Sequence, residues 1–226
     1  GASSQRIQSW YGVTLARPIA HTRAYVRSVK ALLETGAVDI AEEGIVARYR
    51  LPAPPQVRVP VLAAALRRGA FRMSGAVADG AISWICPAAY IRDVALPALR
   101  EGAAAAGRPA PTLVMHVPVC ISDDRTAARA ALRERFGMYV RFPYYAAMFT
   151  DAGFPEAQQG EWSDAMLDAV AVYGPEAEVA DRLRERLALG ATELLVTAVG
   201  TAPQPERGVE RVWRLIADLS RERVGR

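Results

Sequence analysis

The chain has 226 residues, of which 51% are hydrophobic and 23% charged, with a net charge of +4. This length suits one domain with a sizeable core, and we predict a single domain over residues 1–226. The excess charge is nearly all arginine and forms no basic run interleaved with aromatics, so we expect no nucleic-acid partner. The two cysteines, Cys86 and Cys120, form no zinc-binding spacing and no disulfide framework, which predicts no metal site and a cytoplasmic location. No apolar run approaches the roughly 18 residues of a membrane helix, so we expect no membrane association.

The first third of the chain predicts a helix and a hairpin. Pro18 suits the first turn of a helix running to about residue 33, with Tyr25, Val29 and Leu32 facing inward, and Gly36 is a typical helix end. Residues 38–55 then indicate an insertion made of a small hairpin and a stiff proline-rich linker.

Residues 57–86 predict a strand, a tight turn, a helix and a second strand. The apolar run 57–66 is rich in valine, as expected of a strand buried on both faces. Residues 69–78 have helical periodicity, and 81–85 form the next strand. Two parallel strands require such a crossover, and loops at the carboxyl ends of parallel strands carry ligand sites.

The second half continues this alternation. We predict a helix from about residue 88 that is kinked or broken at Pro97 and a strand over 112–121 with a bulge or an end to regular pairing at Pro118. The later elements predicted are a helix over 124–140 capped by Ser122, Asp123 and Asp124, a helix over 163–173, a helix over 176–189, a strand over 193–199 and a helix over 206–223.

Residues 137–162 are unusually aromatic. We predict that this segment forms the wall or lid of a substrate pocket, although a dimer face would have the same composition. The residues assigned to the pocket are Tyr139, Tyr144, Tyr145, Phe149 and Trp162.

The stretch VPVLAAAL-RRG-AFRMSGAVADGAISW resembles the cofactor loop of luciferase-like flavin and deazaflavin oxidoreductases. Further similarities are Trp10-Tyr11-Gly12, Ala16-Arg17-Pro18 and the residues 99–108, in the order in which that family has them. The resemblance implies an α/β fold of the TIM-type (β/α)8 barrel, with only strands ~4/5 to 8 and their helices in this sequence. A homodimer acting on a small-molecule substrate is also implied.

The resemblance further implies a bound cofactor, with coenzyme F-420 favoured over flavin mononucleotide (FMN). The turn before residue 69 would hold the cofactor phosphate at a helix N-terminus, where free N–H groups favour anions. The family often has Gly-Pro where this chain has Arg67-Arg68. This difference could add a charged clamp on the phosphate or replace a close backbone approach that glycine allows. Alternatively, both arginines are solvated or paired with acids. The residues implied in cofactor binding are Ser3, Ser4, Ala64, Arg67, Arg68, Gly69 and Trp84.

Several of these positions also fit structural roles. Trp84 could stack on a planar cofactor ring or pack against the fold, and Ser4 could cap the helix that follows it. His116 lies in the predicted strand 112–121, where a histidine is usually a core residue, and no catalytic residue is assigned.

These features predict a flavin- or deazaflavin-dependent oxidoreductase that performs hydride transfer or monooxygenation of a small organic molecule. The alternative is a non-catalytic half-barrel that binds a ligand or pairs with another subunit, because an open sheet edge needs a partner.

Overall fold

The structure, a computed structural model, describes residues 5–53 and 58–224. The chain divides into two compact units, one of residues 1–82 with 94–113 and one of residues 83–93 with 114–226. The helices are α1 (Gln5–Trp10), α2 (Pro18–Thr35), α3 (Arg68–Val77), α4 (Ala88–Tyr90), α5 (Leu96–Ala105), α6 (Arg125–Phe136), α7 (Pro143–Asp151), α8 (Asp164–Val170), α9 (Glu176–Ala188) and α10 (Pro205–Val224). The strands are β1 (Ala37–Glu42), β2 (Ile45–Arg50), β3 (Leu62–Ala64), β4 (Gly80–Ile82), β5 (Thr112–Ile121), β6 (Val172–Gly174) and β7 (Glu193–Ala198).

In the first unit, β3, α3 and β4 form the predicted parallel crossover, with Leu62 opposite Gly80. The strand predicted over 57–66 is wrong in its extent, since β3 spans only three residues. Before β3, Pro60 has no N–H, and the N–H of Val61 donates to the Asp79 carboxylate at 2.9 Å instead of to a strand carbonyl. Strand pairing therefore begins only at Leu62.

Two glycines let α3 and α5 approach each other closely. A Cβ at Gly75 would lie 2.0 Å from the carbonyl oxygen of Leu99, and one at Gly102 would lie 1.9 Å from that of Arg72. No side chain fits at either position, so the two helices pack backbone against backbone.

The predicted hairpin is confirmed as the antiparallel pair β1–β2, with Glu42 opposite Ile45. Helix α2 ends, as predicted, at Gly36, which has φ +72°. The prediction that Tyr25 points inward is wrong, because its side chain is 57% exposed. The buried positions of α2 are Thr22, Ala24, Val26, Ser28 and Lys30.

In the second unit, β5 pairs in parallel with both β6 and β7. The predicted interruption at Pro118 is wrong, since the register continues through Pro118 opposite Thr197 to Val119 opposite Ala198. Nearly all of β5 is buried, which explains its uninterrupted apolar sequence.

The helices of the second unit begin at the predicted caps. The Asp124 carboxylate accepts hydrogen bonds from the N–H groups of Thr126 and Ala127, and the Ser163 hydroxyl accepts one from Met166. Two predicted helices are too long. Helix α6 ends at Phe136, before Gly137, and α8 ends at Val170, after which the short strand β6 begins.

Candidate active site

A stacked pair of rings, Trp84 and His116, lies at the centre of the candidate site. Their ring centroids are 3.7 Å apart and their planes are inclined by 15°. Trp84 follows the carboxyl end of β4, and His116 is in the middle of β5. Ligands of parallel α/β proteins bind beyond the carboxyl ends of the strands, so Trp84 lies where such a site is expected.

The imidazole of His116 is fully buried and hydrogen-bonded through both nitrogens. Nδ1 accepts from the N–H of Ile85 at 3.2 Å, and Nε2 lies 2.8 Å from Oγ1 of Thr197. Burial lowers the pKa of His116 to about 4, so the ring is neutral at pH 7. A neutral ring stacks on the indole without bringing a charge into the core.

The bend that brings Ile85 to His116 is strained. Ile85 has φ +45°, an uncommon conformation for a β-branched residue, and its side chain is fully buried. Such backbone strain costs on the order of 1–3 kcal/mol and persists only where the surroundings fix it. Here the Ile85 N–H bond to His116 is one of the contacts that fix it.

Further aromatic rings extend this cluster. The ring of Tyr139 lies 6.1 Å from that of Trp84 and 5.2 Å from that of Tyr145, and Phe136 meets His116 edge-on at 5.8 Å. Burial raises the pKa of the Tyr145 phenol well above its usual value, with the neighbouring Cys86 and Tyr139 acting in the same direction. The phenol is therefore a neutral hydrogen-bonding group rather than a base.

The thiol of Cys86 is not a nucleophile in this structure. Burial raises its pKa to about 12, and its Sγ lies 3.7 Å from the carbonyl oxygen of Trp84. A reactive thiolate needs the opposite environment, with positive charge and solvent access.

Two buried polar atoms beside the Trp84–His116 pair have no hydrogen-bond partner among the described residues. They are Nε1 of Trp84 and Oγ of Ser83. Buried polar groups are nearly always paired, so each such atom requires a physical explanation, and a bound ligand is one of them.

The predicted phosphate loop lies in the first unit at the start of α3. Arg67 precedes the helix in an extended conformation, and Ala64, Arg67, Arg68 and Gly69 are all exposed. The first turn of α3 contains no acidic residue. Arg68 donates to the Glu101 carboxylate at 2.9 Å, so one of the two alternatives predicted for this arginine, pairing with an acid, is present. Ser3 and Ser4 lie outside the described residues.

The five aromatic residues predicted to line a pocket fall into three groups. Tyr139 and Tyr145 join the cluster around Trp84, whereas Tyr144 is 47% exposed. Phe149 and Trp162 pack edge-to-face at 5.1 Å, and Trp162 Nε1 donates to the carbonyl of Phe136 at 3.2 Å. The last two are thus buried parts of the fold.

Sequence reasoning missed the partnership between His116 and Thr197. They are 81 positions apart, and Thr197 lies in a strand whose pattern indicates only burial. The interpretation of His116 as a core residue agrees with its burial but omits its two hydrogen bonds.

Within residues 5–53 and 58–224, no group of three or more His, Cys, Asp or Glu side chains is arranged to hold a metal ion. In the same ranges, no helix has both the length and the apolar character needed to cross a bilayer.

The fold is similar to those of several solved redox enzymes. A coenzyme F-420-dependent tetrahydromethanopterin reductase from Methanopyrus kandleri superposes with a TM-score of 0.69 over 94% of this chain and 70% of that one, at 19% identity. The oxygenating component of 3,6-diketocamphane monooxygenase from Pseudomonas putida, in complex with FMN, gives a TM-score of 0.63 over 97% of this chain and 69% of that one, at 15% identity.

A curated relative from Mycobacterium tuberculosis, an uncharacterized protein, is 28% identical over 210 residues, which cover 80% of this chain. The match spans 62% of the length of that relative. The family model of luciferase-like monooxygenases matches residues 1–193. With its parallel β-strands and crossover helices, the chain belongs to the luciferase-like monooxygenase family.

Proposed function

We propose that this protein is an oxidoreductase that uses coenzyme F-420 or FMN to perform hydride transfer or monooxygenation on a small organic substrate. The observation that carries the proposal is the stacking of Trp84, which follows the carboxyl end of β4, on His116 of β5, in a chain of the luciferase-like family. The cofactor, when bound, supplies the redox chemistry.

The residues around Trp84 suit a planar cofactor ring. Trp84, Tyr139 and Tyr145 provide aromatic surface, and His116 is neutral at pH 7. An uncharged aromatic wall can stack on a flat heterocycle and exclude water from it. The unpaired Nε1–H of Trp84 and Oγ–H of Ser83 could each donate to an acceptor on such a ring.

The start of α3 suits a phosphoryl group. It combines the positive end of a helix dipole with two arginines and has no acidic residue in its first turn. We therefore assign the cofactor phosphate to Arg67, Arg68 and Gly69. We favour coenzyme F-420 over FMN on the likeness of this loop to that of the deazaflavin relatives.

We also propose a finer description of the fold and assembly. The parallel strands β3 to β7 would correspond to the later strands of a TIM-type (β/α)8 barrel, and the protein would act as a homodimer.

The test is a titration of the 226-residue chain with coenzyme F-420 and, separately, with FMN. We expect saturable quenching of cofactor fluorescence, with coenzyme F-420 binding more tightly. If FMN binds more tightly, the cofactor preference is reversed. If neither cofactor binds, the proposed function is wrong.

The phosphate assignment can be tested with two arginines that share one acid. Arg68 and Arg72 both pair with Glu101, at 2.9 Å and 3.1 Å. Arg68→Ala should weaken cofactor binding about tenfold, since charge-assisted bonds to phosphate are the strong ones. Arg72→Ala should stay within about twofold of wild type, because it removes a similar surface ion pair without touching the first turn of α3. Equal affinities of the two variants would remove Arg68 from the phosphate site.

A further inference from the structure

The hydroxyl of Thr197 is hydrogen-bonded on one side only. Its Oγ1 lies 2.8 Å from His116 Nε2, and no acceptor for its proton occurs among the described residues. The side chain is partly exposed and lies near the carboxyl end of β7. This is the end of a parallel strand at which ligands bind.

The direction of the bond between His116 and Thr197 follows from the other nitrogen of the ring. A backbone N–H can only donate, so Nδ1 must accept the bond from Ile85. A neutral imidazole has one donor and one acceptor nitrogen, so the proton is on Nε2. Nε2–H therefore donates to Thr197, and the threonine proton must point away from the histidine.

His116 cannot easily reverse this arrangement. Exchange of the tautomer would place an N–H at Nδ1 against the N–H of Ile85, and the bend at Ile85 is already strained at φ +45°. Trp84 covers one face of the imidazole, which restricts rotation of the ring. His116 thus holds the Thr197 hydroxyl with its proton directed away from the imidazole.

We propose that the Thr197 hydroxyl donates a hydrogen bond to a carbonyl oxygen of the cofactor's flat heterocycle, and that His116 is the positioning residue that directs it. This inference rests on the proposed function, because both coenzyme F-420 and FMN carry carbonyl oxygens on the pyrimidine end of the ring system. It adds a specific donor and its orienting partner to the general aromatic wall around Trp84.

The orienting step can be tested on the chain without any cofactor. Nitrogen-15 NMR of histidine-labelled protein at pH 7 should show His116 with an unprotonated Nδ1 and a protonated Nε2. The signals can be assigned by their loss in His116→Gln. A proton on Nδ1, or a doubly protonated ring, would overturn the proposal.

The donor step is tested with bound cofactor and three variants. Thr197→Val should weaken cofactor binding about five- to tenfold, Thr197→Ser should restore affinity to within about twofold, and Thr126→Val should leave it unchanged. Thr126 is an exposed threonine on α6 of the same unit and serves as the matched control. Thermal unfolding of each variant shows whether the fold is retained.

A purely structural role is separated by vibrational spectroscopy of the bound cofactor. Loss of a hydrogen bond raises the stretching frequency of a carbonyl group, so Thr197→Val should shift one cofactor carbonyl band upward and Thr197→Ser should return it. An unshifted band, or unchanged affinity in Thr197→Val, would overturn the assignment of Thr197 while leaving the oxidoreductase proposal standing. A wild-type chain that binds neither cofactor would instead overturn both.

Discussion

Two buried polar clusters in this protein differ in how completely their hydrogen bonds are satisfied. In the first unit, Lys30 Nζ lies 2.7 Å from each oxygen of the Asp79 carboxylate. The same carboxylate accepts from the Val61 N–H at 2.9 Å and from Arg108 at 3.2 Å. Every oxygen of Asp79 is thus paired, and the cluster joins α2, the start of β3 and the segment before β4.

The second unit presents the opposite case. His116 is bonded through both nitrogens, but Trp84 Nε1 and Ser83 Oγ have no partner and the Thr197 proton has no acceptor among the described residues. A fully paired cluster contributes to stability, whereas each unpaired buried donor requires a physical explanation, of which a bound ligand is one. Under the proposed function, stability and ligand binding depend on different polar groups of the same chain.

The largest expected effect is the loss of the buried ion pair in the first unit. The side chains of Lys30 and Asp79 are only 9% and 14% exposed. Lys30→Met keeps much of the volume but leaves a buried carboxylate with fewer partners, so we expect the free energy of unfolding to fall by about 3 kcal/mol. Urea denaturation measures this change.

The matched control for that variant is Arg48→Met. Arg48 pairs with Asp39 at 3.1 Å, but both side chains are more than two-thirds exposed. Removal of an exposed pair should change stability by less than about 1 kcal/mol. If Lys30→Met were as mild as the control, the first cluster would not be a stabilising element and the comparison would fail.

An effect of similar size is expected from pH acting on the second cluster. The pKa of His116 is about 4 in the folded chain, below the ordinary 6.5. The unfolded chain therefore binds a proton at this residue between pH 6.5 and pH 4 that the folded chain does not. Stability from this group is present above pH 6.5 and is lost as the pH falls to about 4, by about 3 kcal/mol in total.

His116→Gln should have a flatter stability profile than wild type across that window. The measurement is the free energy of unfolding from urea titrations at pH 7, 6, 5 and 4. Parallel profiles for the two proteins would contradict the prediction, as would an NMR titration in which the His116 ring gains its proton near pH 6.5.

Acid also weakens the first cluster, but at a lower pH. Burial raises the pKa of the Asp79 carboxyl. Hydrogen bonds from Lys30 and Val61, together with the charges of Lys30 and Arg108, lower it by more. The pKa of Asp79 therefore lies below its usual value. The stability that depends on this carboxylate is present at pH values above the ordinary aspartate pKa of 3.8. It is lost only as the pH falls below that value. The two clusters should therefore respond to acid in successive pH ranges.

The sequence predicted the fold best where a local signal decides the structure. Gly36 ends α2, Asp124 begins α6, and residues 42–45 form the hairpin turn, because a left-handed glycine, a capping carboxylate and a tight turn act within a few positions. The strand predicted over 57–66 is longer than the observed β3. An apolar run does not reveal that the Val61 N–H bonds to Asp79, 18 positions away.

The candidate site was predicted only in part for the same reason. Trp84 could be placed at a strand end from its neighbours in sequence, and the aromatic segment 137–162 drew attention to Tyr139 and Tyr145. The link between His116 and Thr197 depends on the pairing of β5 with β7, which no local pattern specifies. Whether a buried donor is paired, as for Trp84 Nε1, is also decided by tertiary structure alone.

The smallest expected effects come from two serines that test the comparison most directly. Ser74 in the first unit and Ser83 in the second are both fully buried. The Ser74 hydroxyl donates to the carbonyl of Ala70 at 2.8 Å, whereas that of Ser83 has no partner in the described part of the chain. Ser74→Ala should therefore lower the free energy of unfolding by about 1 kcal/mol, the net value of one hydrogen bond.

Ser83→Ala should have the opposite sign. Removal of an unpaired buried hydroxyl removes its desolvation cost, so the cofactor-free chain should become more stable by up to about 1 kcal/mol. The same variant should bind cofactor less tightly if the hydroxyl donates to the ligand. A Ser83→Ala chain that loses as much stability as Ser74→Ala would mean that the hydroxyl is paired without a ligand. The unpaired donors beside Trp84 would then no longer distinguish a binding site from ordinary core.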